Sequence, residues 1–112
     1  MKNRNYLKNL EVGGFIVVQR KTPKELSAEL LKRYKHIPLE YLTFLNQFEQ
    51  IRNPKDTSWF NSIEDFNGES DTAFMWNEFE LQSLEALKDD DKEVEKVQNF
   101  WNSHIPIFNV RN

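Results

Sequence analysis

The side chains in this sequence that could do chemistry are two histidines, scattered serines and many carboxylates. His36 and His104 stand alone, because neither has a second histidine four residues away and the chain contains no cysteine. A zinc site assembled from His and Cys ligands therefore lacks its usual donors, and we expect no metal. Both histidines are expected at helix ends instead, where they favour the negative end of the helix dipole.

Enzyme motifs are missing from the sequence. No serine lies in a Gly-x-Ser-x-Gly elbow, and Gly13-Gly14 lacks the Lys-Ser/Thr continuation of a phosphate loop. Adjacent carboxylates are numerous, but Asp89, Asp90 and Asp91 are typical of a helix start rather than of an acid–base pair. We expect no catalytic residue and no cofactor. A small hydrolase or nucleotide-binding enzyme, which needs a cleft with convergent polar groups, is the rival class.

The composition limits the class of protein. The 112 residues suffice for one domain with a modest core, to which nine Phe, three Trp and three Tyr contribute. The absence of cysteine fits a reducing compartment, and we recognise neither a signal peptide nor a membrane span. We therefore expect a cytoplasmic protein that contacts no membrane. A net charge of -3 and a pI near 5.4 argue against a nucleic-acid partner.

Charge is distributed unevenly along the chain. Residues 1–56 contain eleven Lys or Arg and six Asp or Glu, whereas residues 57–112 contain four and twelve. The first half thus carries a charge of +5 and the second half a charge of -8. The acidic second half is the distinctive one.

The elements that position these residues begin with a helix, a corner and a second helix. Thr22, Pro23 and Glu25 form the pattern of a capping box, which predicts a helix over residues 23–35. Pro38 restricts the residue before it and suits the first turn of a helix. A second helix is therefore predicted from Pro38 onward, at an angle to the first.

The second helix, residues 38–48, has the densest apolar stripe of the sequence and is predicted to pack on the core. Its stripe consists of Tyr41, Phe44, Leu45 and Phe48. The last helix is expected to supply the opposing side chains, which are Val97, Phe100 and Trp101.

The remaining elements are short. A helical turn capped by Ser62 and a helix over residues 78–87 are predicted, followed by a helix that starts at the three aspartates and ends near residue 103. A short N-terminal helix is predicted within residues 1–10, and residues 49–58 are predicted to be a loop. The predicted strands are residues 15–18, 57–60, 72–76 and 107–110.

Several of these blocks carry a family resemblance. Residues 37–46, IPLEYLTFLN, are similar to the Leu-Pro-x-x-Tyr-x-x-Phe-Leu helix of the SUKH superfamily, in particular of its Smi/Knr-type branch. Trp59-Phe60, then residues 74–78 (FMWNE) and residues 100–107 (FWNSHIPI), resemble the later blocks of that branch in the same order. The resemblance covers about residues 22–110.

The resemblance implies an α+β fold in which helices pack on a mainly antiparallel sheet. In bacteria it implies a frequent role as an immunity protein that binds and neutralises a cognate toxin. Other family members regulate cell-wall synthesis in fungi, so a regulatory or scaffolding module of the same fold is the alternative.

The sequence departs from the family pattern in two places. Residues 49–52, EQIR, replace the Asn-Gly that commonly follows the first family helix. The chain also stops at Asn112, before the usual terminal hairpin and helix, and is either a short family member or a fragment of a longer one. An open edge on the last strand would favour a homodimer.

The acidic half suggests how a partner is bound. Carboxylates in turns and at helix starts, together with a few exposed aromatic side chains, suit a basic partner such as the cationic cleft of a nuclease toxin. The residues predicted to bind it are Trp59, Glu64, Asp65, Phe66, Glu69, Asp71, Asp89, Asp90 and Asp91.

Overall fold

Four short strands form the sheet on which the fold is built. The computed structural model describes residues 6–70 and 75–110. Its strands are β1 (Ile16–Gln19), β2 (Phe48–Arg52), β3 (Ser58–Phe60) and β4 (Phe108–Val110). All pairs are antiparallel and the order across the sheet is β1-β2-β3-β4. Strands at residues 15–18, 57–60 and 107–110 are thereby confirmed within a residue or two at each end.

Six helices accompany the sheet in the described residues. They are α1 (Tyr6–Val12), α2 (Ala28–Arg33), α3 (Leu39–Leu45), α4 (Ile63–Phe66), α5 (Glu78–Ala86) and α6 (Asp91–Asn102). Together with the antiparallel sheet they make an α+β fold, as predicted. No helix in these two ranges is both long enough and apolar enough to cross a membrane.

Strand β2 corrects the prediction of a loop over residues 49–58. Phe48 and Ile51 are fully buried, although the polar residues between them hide any alternation in the sequence. A register shift in the pairing of β1 with β2 lets both residues face the core despite their odd spacing. The strand is defined by its pairing with β1 and β3, and this pairing cannot be predicted from the local composition.

One face of the sheet forms the core together with α3. Val17, Ile51 and Phe60 are consecutive cross-strand partners and therefore share a face. The centre of the Phe44 ring of α3 lies 5.0 Å from the centre of the Phe48 ring and 6.0 Å from that of the Phe60 ring. The buried apolar residues are Leu26, Leu30, Tyr34, Leu45, Phe48, Ile51, Ile63 and Phe66.

The first long helix starts later than predicted. Helix α2 begins at Ala28, and its N-cap is Ser27, whose Oγ accepts from the backbone N–H of Leu30. Thr22 as the N-cap is therefore wrong. Residues 23–27 stay irregular because asparagine side chains bind their backbone: Asn46 accepts from the N–H of Lys24, and Asn67 accepts from that of Ser27.

The corner at Pro38 is confirmed, but the helix after it is short. Pro38 is the N-cap of α3, which ends at Leu45, so Phe48 is buried from strand β2 rather than from the helix. The corner directs α3 across the core face of the sheet.

Helix α6 does not pack on α3, so that prediction is wrong. It has no buried residue, half of the Phe100 side chain is exposed, and its main helical contact is α5. The predicted strand at residues 72–76 lies largely outside the described residues, and its last two residues, Met75 and Trp76, are not in a strand.

The predicted homodimer stays a prediction. Strand β4 is an edge of the sheet in the described residues, and its Phe108 and Val110 side chains are partly exposed.

Burial gives opposite expectations for two phenylalanines. Phe48→Ala should lower the free energy of unfolding by about 3–5 kcal/mol, because a fully buried ring is replaced by a cavity. Phe100→Ala, on the half-exposed face of α6, should cost less than about 1 kcal/mol. Urea unfolding followed by tryptophan fluorescence measures both, and equal losses would contradict the assignment of the core.

Candidate functional site

The helical turn α4 uses one predicted partner-binding acid for its own start. The backbone N–H of Ser62 donates to Asp65 Oδ2 at 2.9 Å, and the N–H of Asp65 donates to Ser62 Oγ at 3.1 Å. This capping box confirms the predicted turn. The carboxylate of Asp65 is therefore engaged within the fold.

A second predicted acid, Glu64, forms an ion pair with Arg20. The guanidinium donates from Nη1 to Oε2 at 2.9 Å and from Nη2 to Oε1 at 2.6 Å. The Arg20 side chain is only 3% exposed. These hydrogen bonds lower the pKa of Glu64, whereas partial burial acts in the opposite direction. The pair joins the end of β1 to α4.

The other acids near α4 have different environments. Glu69 forms an ion pair with Lys24, whose Nζ lies 2.8 Å from Glu69 Oε1. The two side chains are 50% and 35% exposed, respectively. Such exposed pairs contribute little stability, so Glu69 remains accessible to a partner. Asp71 lies outside the described residues.

The two aromatic residues of the predicted surface differ in burial. Phe66 is 2% exposed and its ring lies 5.5 Å from that of Trp76, so its predicted exposure is wrong. Phe66 lies with Ile63 on the side of α4 that packs on the core. Trp59 is half-buried on β3, between its cross-strand neighbours Arg52 and Asn109.

The three consecutive aspartates start α6, as predicted. Asp90 is the N-cap, and its Oδ1 accepts from the backbone N–H of Glu93 at 3.2 Å. The side chains of Asp89 and Asp91 are exposed, and neither carboxylate makes a hydrogen bond or ion pair with any residue in the described ranges. These two carboxylates are free to meet a ligand.

Helices α5 and α6 together form what we call the acidic hairpin, residues 78–102. It contains eight Asp or Glu and three Lys or Arg. Helix α6 has an apolar stripe and a charged side, yet none of its residues is buried. Exposed apolar side chains of the hairpin are Phe79, Leu81 and Phe100. The acidic hairpin thus exposes both carboxylates and apolar side chains.

Arg33 on α2 fixes the acidic hairpin by its side chain. Its Nη2 donates to both carboxylate oxygens of Glu80 at 2.8 Å, and its Nε donates to Asn102 Oδ1 at 3.0 Å. The guanidinium carbon also lies 5.7 Å from the centre of the Trp76 ring. Sequence reasoning missed this residue, because its partners are 47 and 69 positions away.

Two buried asparagines hold the chain at both ends of the acidic hairpin. Asn61 Nδ2 donates to the carbonyl of Trp76 at 3.3 Å and to that of Pro106 at 3.0 Å. Asn109 Nδ2 donates to Asn61 Oδ1 at 2.9 Å and to the same Trp76 carbonyl at 3.3 Å. Sequence reasoning missed both, because nothing local to either residue signals a buried amide.

The carboxylates of the described residues are either engaged within the fold or exposed to solvent. Within them, no group of three or more His, Asp or Glu side chains is placed to hold a metal ion. The carboxylates near α4 serve an ion pair and a cap, and those of the acidic hairpin are mostly exposed.

No known protein family, no curated protein and no solved structure significantly matches the chain.

The Arg20–Glu64 pair makes stability depend on pH in a defined direction. The pKa of Glu64 is lower in the folded state than its value of about 4.3 in the unfolded chain. The ionised Glu64 therefore stabilises the fold fully above about pH 4.3, and this stabilisation is lost as the pH falls through the folded pKa. At neutral pH, Glu64→Gln should lower the free energy of unfolding by about 1–3 kcal/mol, because it leaves the guanidinium underpaired.

A variant at an exposed glutamate provides the control. Glu95→Gln removes an exposed charge of α6 and should change the free energy of unfolding by less than about 0.5 kcal/mol. Urea unfolding of the three proteins should show the deficit of Glu64→Gln shrinking below about pH 4. A deficit that is the same at neutral and at acid pH would refute the lowered pKa.

Proposed function

We propose that the protein is a non-enzymatic toxin-immunity protein of the SUKH type, and that it neutralises a basic toxin domain by binding it with the acidic hairpin. The observation that carries this proposal is helix α6, which is amphipathic and acidic but has no fully buried residue in the described structure. Its apolar stripe is half-buried at Val94, Val97 and Trp101 and exposed at Phe100. An accessible apolar group of this kind suits the centre of an interface, where apolar contacts supply most of the binding energy.

Charge supports a basic partner. The acidic hairpin has a formal charge of -5. Arg33, which lies outside the hairpin, neutralises only the charge of Glu80. Its other ion pairs, Lys88–Glu85 and Lys96–Glu93, lie within the hairpin and leave the total unchanged. A field of one sign around an exposed apolar centre speeds association with a partner of opposite sign and rejects acidic ones.

The fold and the corner at Pro38 support the family. The structure has helices against an antiparallel sheet, and residues 37–46 form the turn and helix α3 as the SUKH-like motif would. Residues 49–52, where the sequence departs from that motif, lie in β2.

The proposed interface contains fewer of the nine predicted residues than the sequence suggests. Asp65, Phe66 and Glu64 serve the fold, whereas Asp89 and Asp91 are exposed on the acidic hairpin. Trp59 and Glu69 lie on other elements and stay candidates for peripheral contacts.

Co-expression tests the proposed activity. The product of a toxin reading frame beside the gene should arrest growth when expressed alone and permit growth when this protein is expressed with it. Growth arrest that persists despite soluble expression of both proteins would overturn the immunity function and favour a regulatory or scaffolding module.

Charge removal locates the interface once that toxin is in hand. A triple variant Asp89→Asn, Asp91→Asn and Glu95→Gln should slow association about tenfold at low salt and flatten its dependence on ionic strength. The matched control Glu25→Gln, Glu29→Gln and Glu40→Gln removes three exposed charges from the other half of the chain.

Surface plasmon resonance gives the association rate constants of both triple variants. The control should bind at the wild-type rate at all salt concentrations beyond the small effect of net charge. An equal slowing in the two variants would mean that the acidic hairpin is not the interface.

A further inference from the structure

The two His-Ile-Pro tripeptides of the sequence both contribute to the wall of one cleft. They occupy residues 36–38, at the end of α2, and residues 104–106, at the end of α6. Ile37 and Pro38 from the first and Ile105 from the second line a cleft of about 420 Å³. This volume is in the range of sites that hold small molecules. The apolar residues form part of its wall.

Hydrogen-bond donors and positive charges line the same cleft. Arg33, Lys35 and His36 all contribute to it. The Nε and Nη2 groups of Arg33 are occupied by Asn102 and Glu80, but its Nη1 has no acceptor among the described residues. Lys35 likewise has no ion pair within the described ranges. An uncompensated charge on Lys35 and one unoccupied nitrogen of the Arg33 guanidinium, Nη1, are thus available to a ligand.

A buried tyrosine forms part of the wall of the cleft. Tyr34 is only 7% exposed, and its Oη, which has almost no accessible surface, finds no hydrogen-bond partner in the described structure. Because a ligand in the open cleft cannot reach a buried atom, Tyr34 contributes its side chain to the wall rather than a hydrogen bond. Burial raises the pKa of this hydroxyl.

Opposing charges near the cleft are already compensated. Glu80 is paired with Arg33, and the Ser103 hydroxyl lies 3.0 and 3.1 Å from the carbonyl oxygens of Asn99 and Phe100, to which it can donate at the end of α6. The negative end of that helix is therefore partly capped. The excess charge of the cleft is that of Lys35.

We propose that this cleft binds a small organic anion. Its carboxylate or phosphate head contacts Arg33 Nη1 and Lys35, and its apolar body lies against Ile37, Pro38 and Ile105. The site is separate from the apolar stripe of the acidic hairpin, and the proposal does not depend on the immunity function.

Ligand titrations followed by NMR test the proposal with defined probes. Phenyl phosphate and benzoate share an apolar ring and differ in the head group, and benzyl alcohol is the neutral counterpart. At millimolar concentration, at least one of the two anions should shift the amide resonances of residues 33–38 and 103–105 saturably, and the tighter one identifies the head group. No saturable shift with either anion, or equal shifts with benzyl alcohol, would overturn the proposal.

A pair of charge variants on one helix end sharpens the test. Lys35→Gln should weaken binding of the anion about fivefold, which corresponds to about 1 kcal/mol. Lys32→Gln removes the same charge from an exposed position that does not line the cleft and should leave the dissociation constant unchanged. Equal dissociation constants in the two variants would show that the anion binds elsewhere.

Discussion

The hydrogen-bonded pair of Asn61 and Asn109 is the constraint on which the arrangement of the second half of the chain depends. Both side chains are buried, and they bind the carbonyl groups of Trp76 and Pro106, which lie just before α5 and just after α6. The pair therefore fixes both ends of the acidic hairpin to β3 and β4. Buried amides of this kind stabilise one arrangement because any other leaves them without partners.

The fixed ends explain how a helix as long as α6 can remain outside the core. The apolar interior is supplied by α2, α3, α4 and the sheet, while the acidic hairpin is held by polar contacts, with Arg33 as the second attachment. The exposed part of the α6 stripe, at Phe100, is consequently accessible to another molecule. The structure thus separates the residues that stabilise the fold from those proposed to bind.

Local signals predicted the parts of the fold that local chemistry decides. The cap at Ser62, the start of α6 within the three aspartates and the corner at Pro38 depend on a few neighbouring residues, and the sequence predicts all three. Strand β2 was missed because its pairing partners, not its composition, define it. The burial of Phe66 and the engagement of Glu64 by Arg20 were missed for the same reason, since 44 positions separate the ion pair. Of the predicted site, Asp89 and Asp91 match the expected surface, because both carboxylates are exposed at the start of α6.

Hydrogen–deuterium exchange of the protein with and without its bound toxin tests the central claim most directly. Because the account assigns the interface to the acidic hairpin, the amides of α6 and of the adjoining end of α5 should exchange more slowly in the complex, while those of β1 and α3 should be unchanged. Slower exchange confined to β1, α2 or α3, with α6 unaffected, would contradict the account.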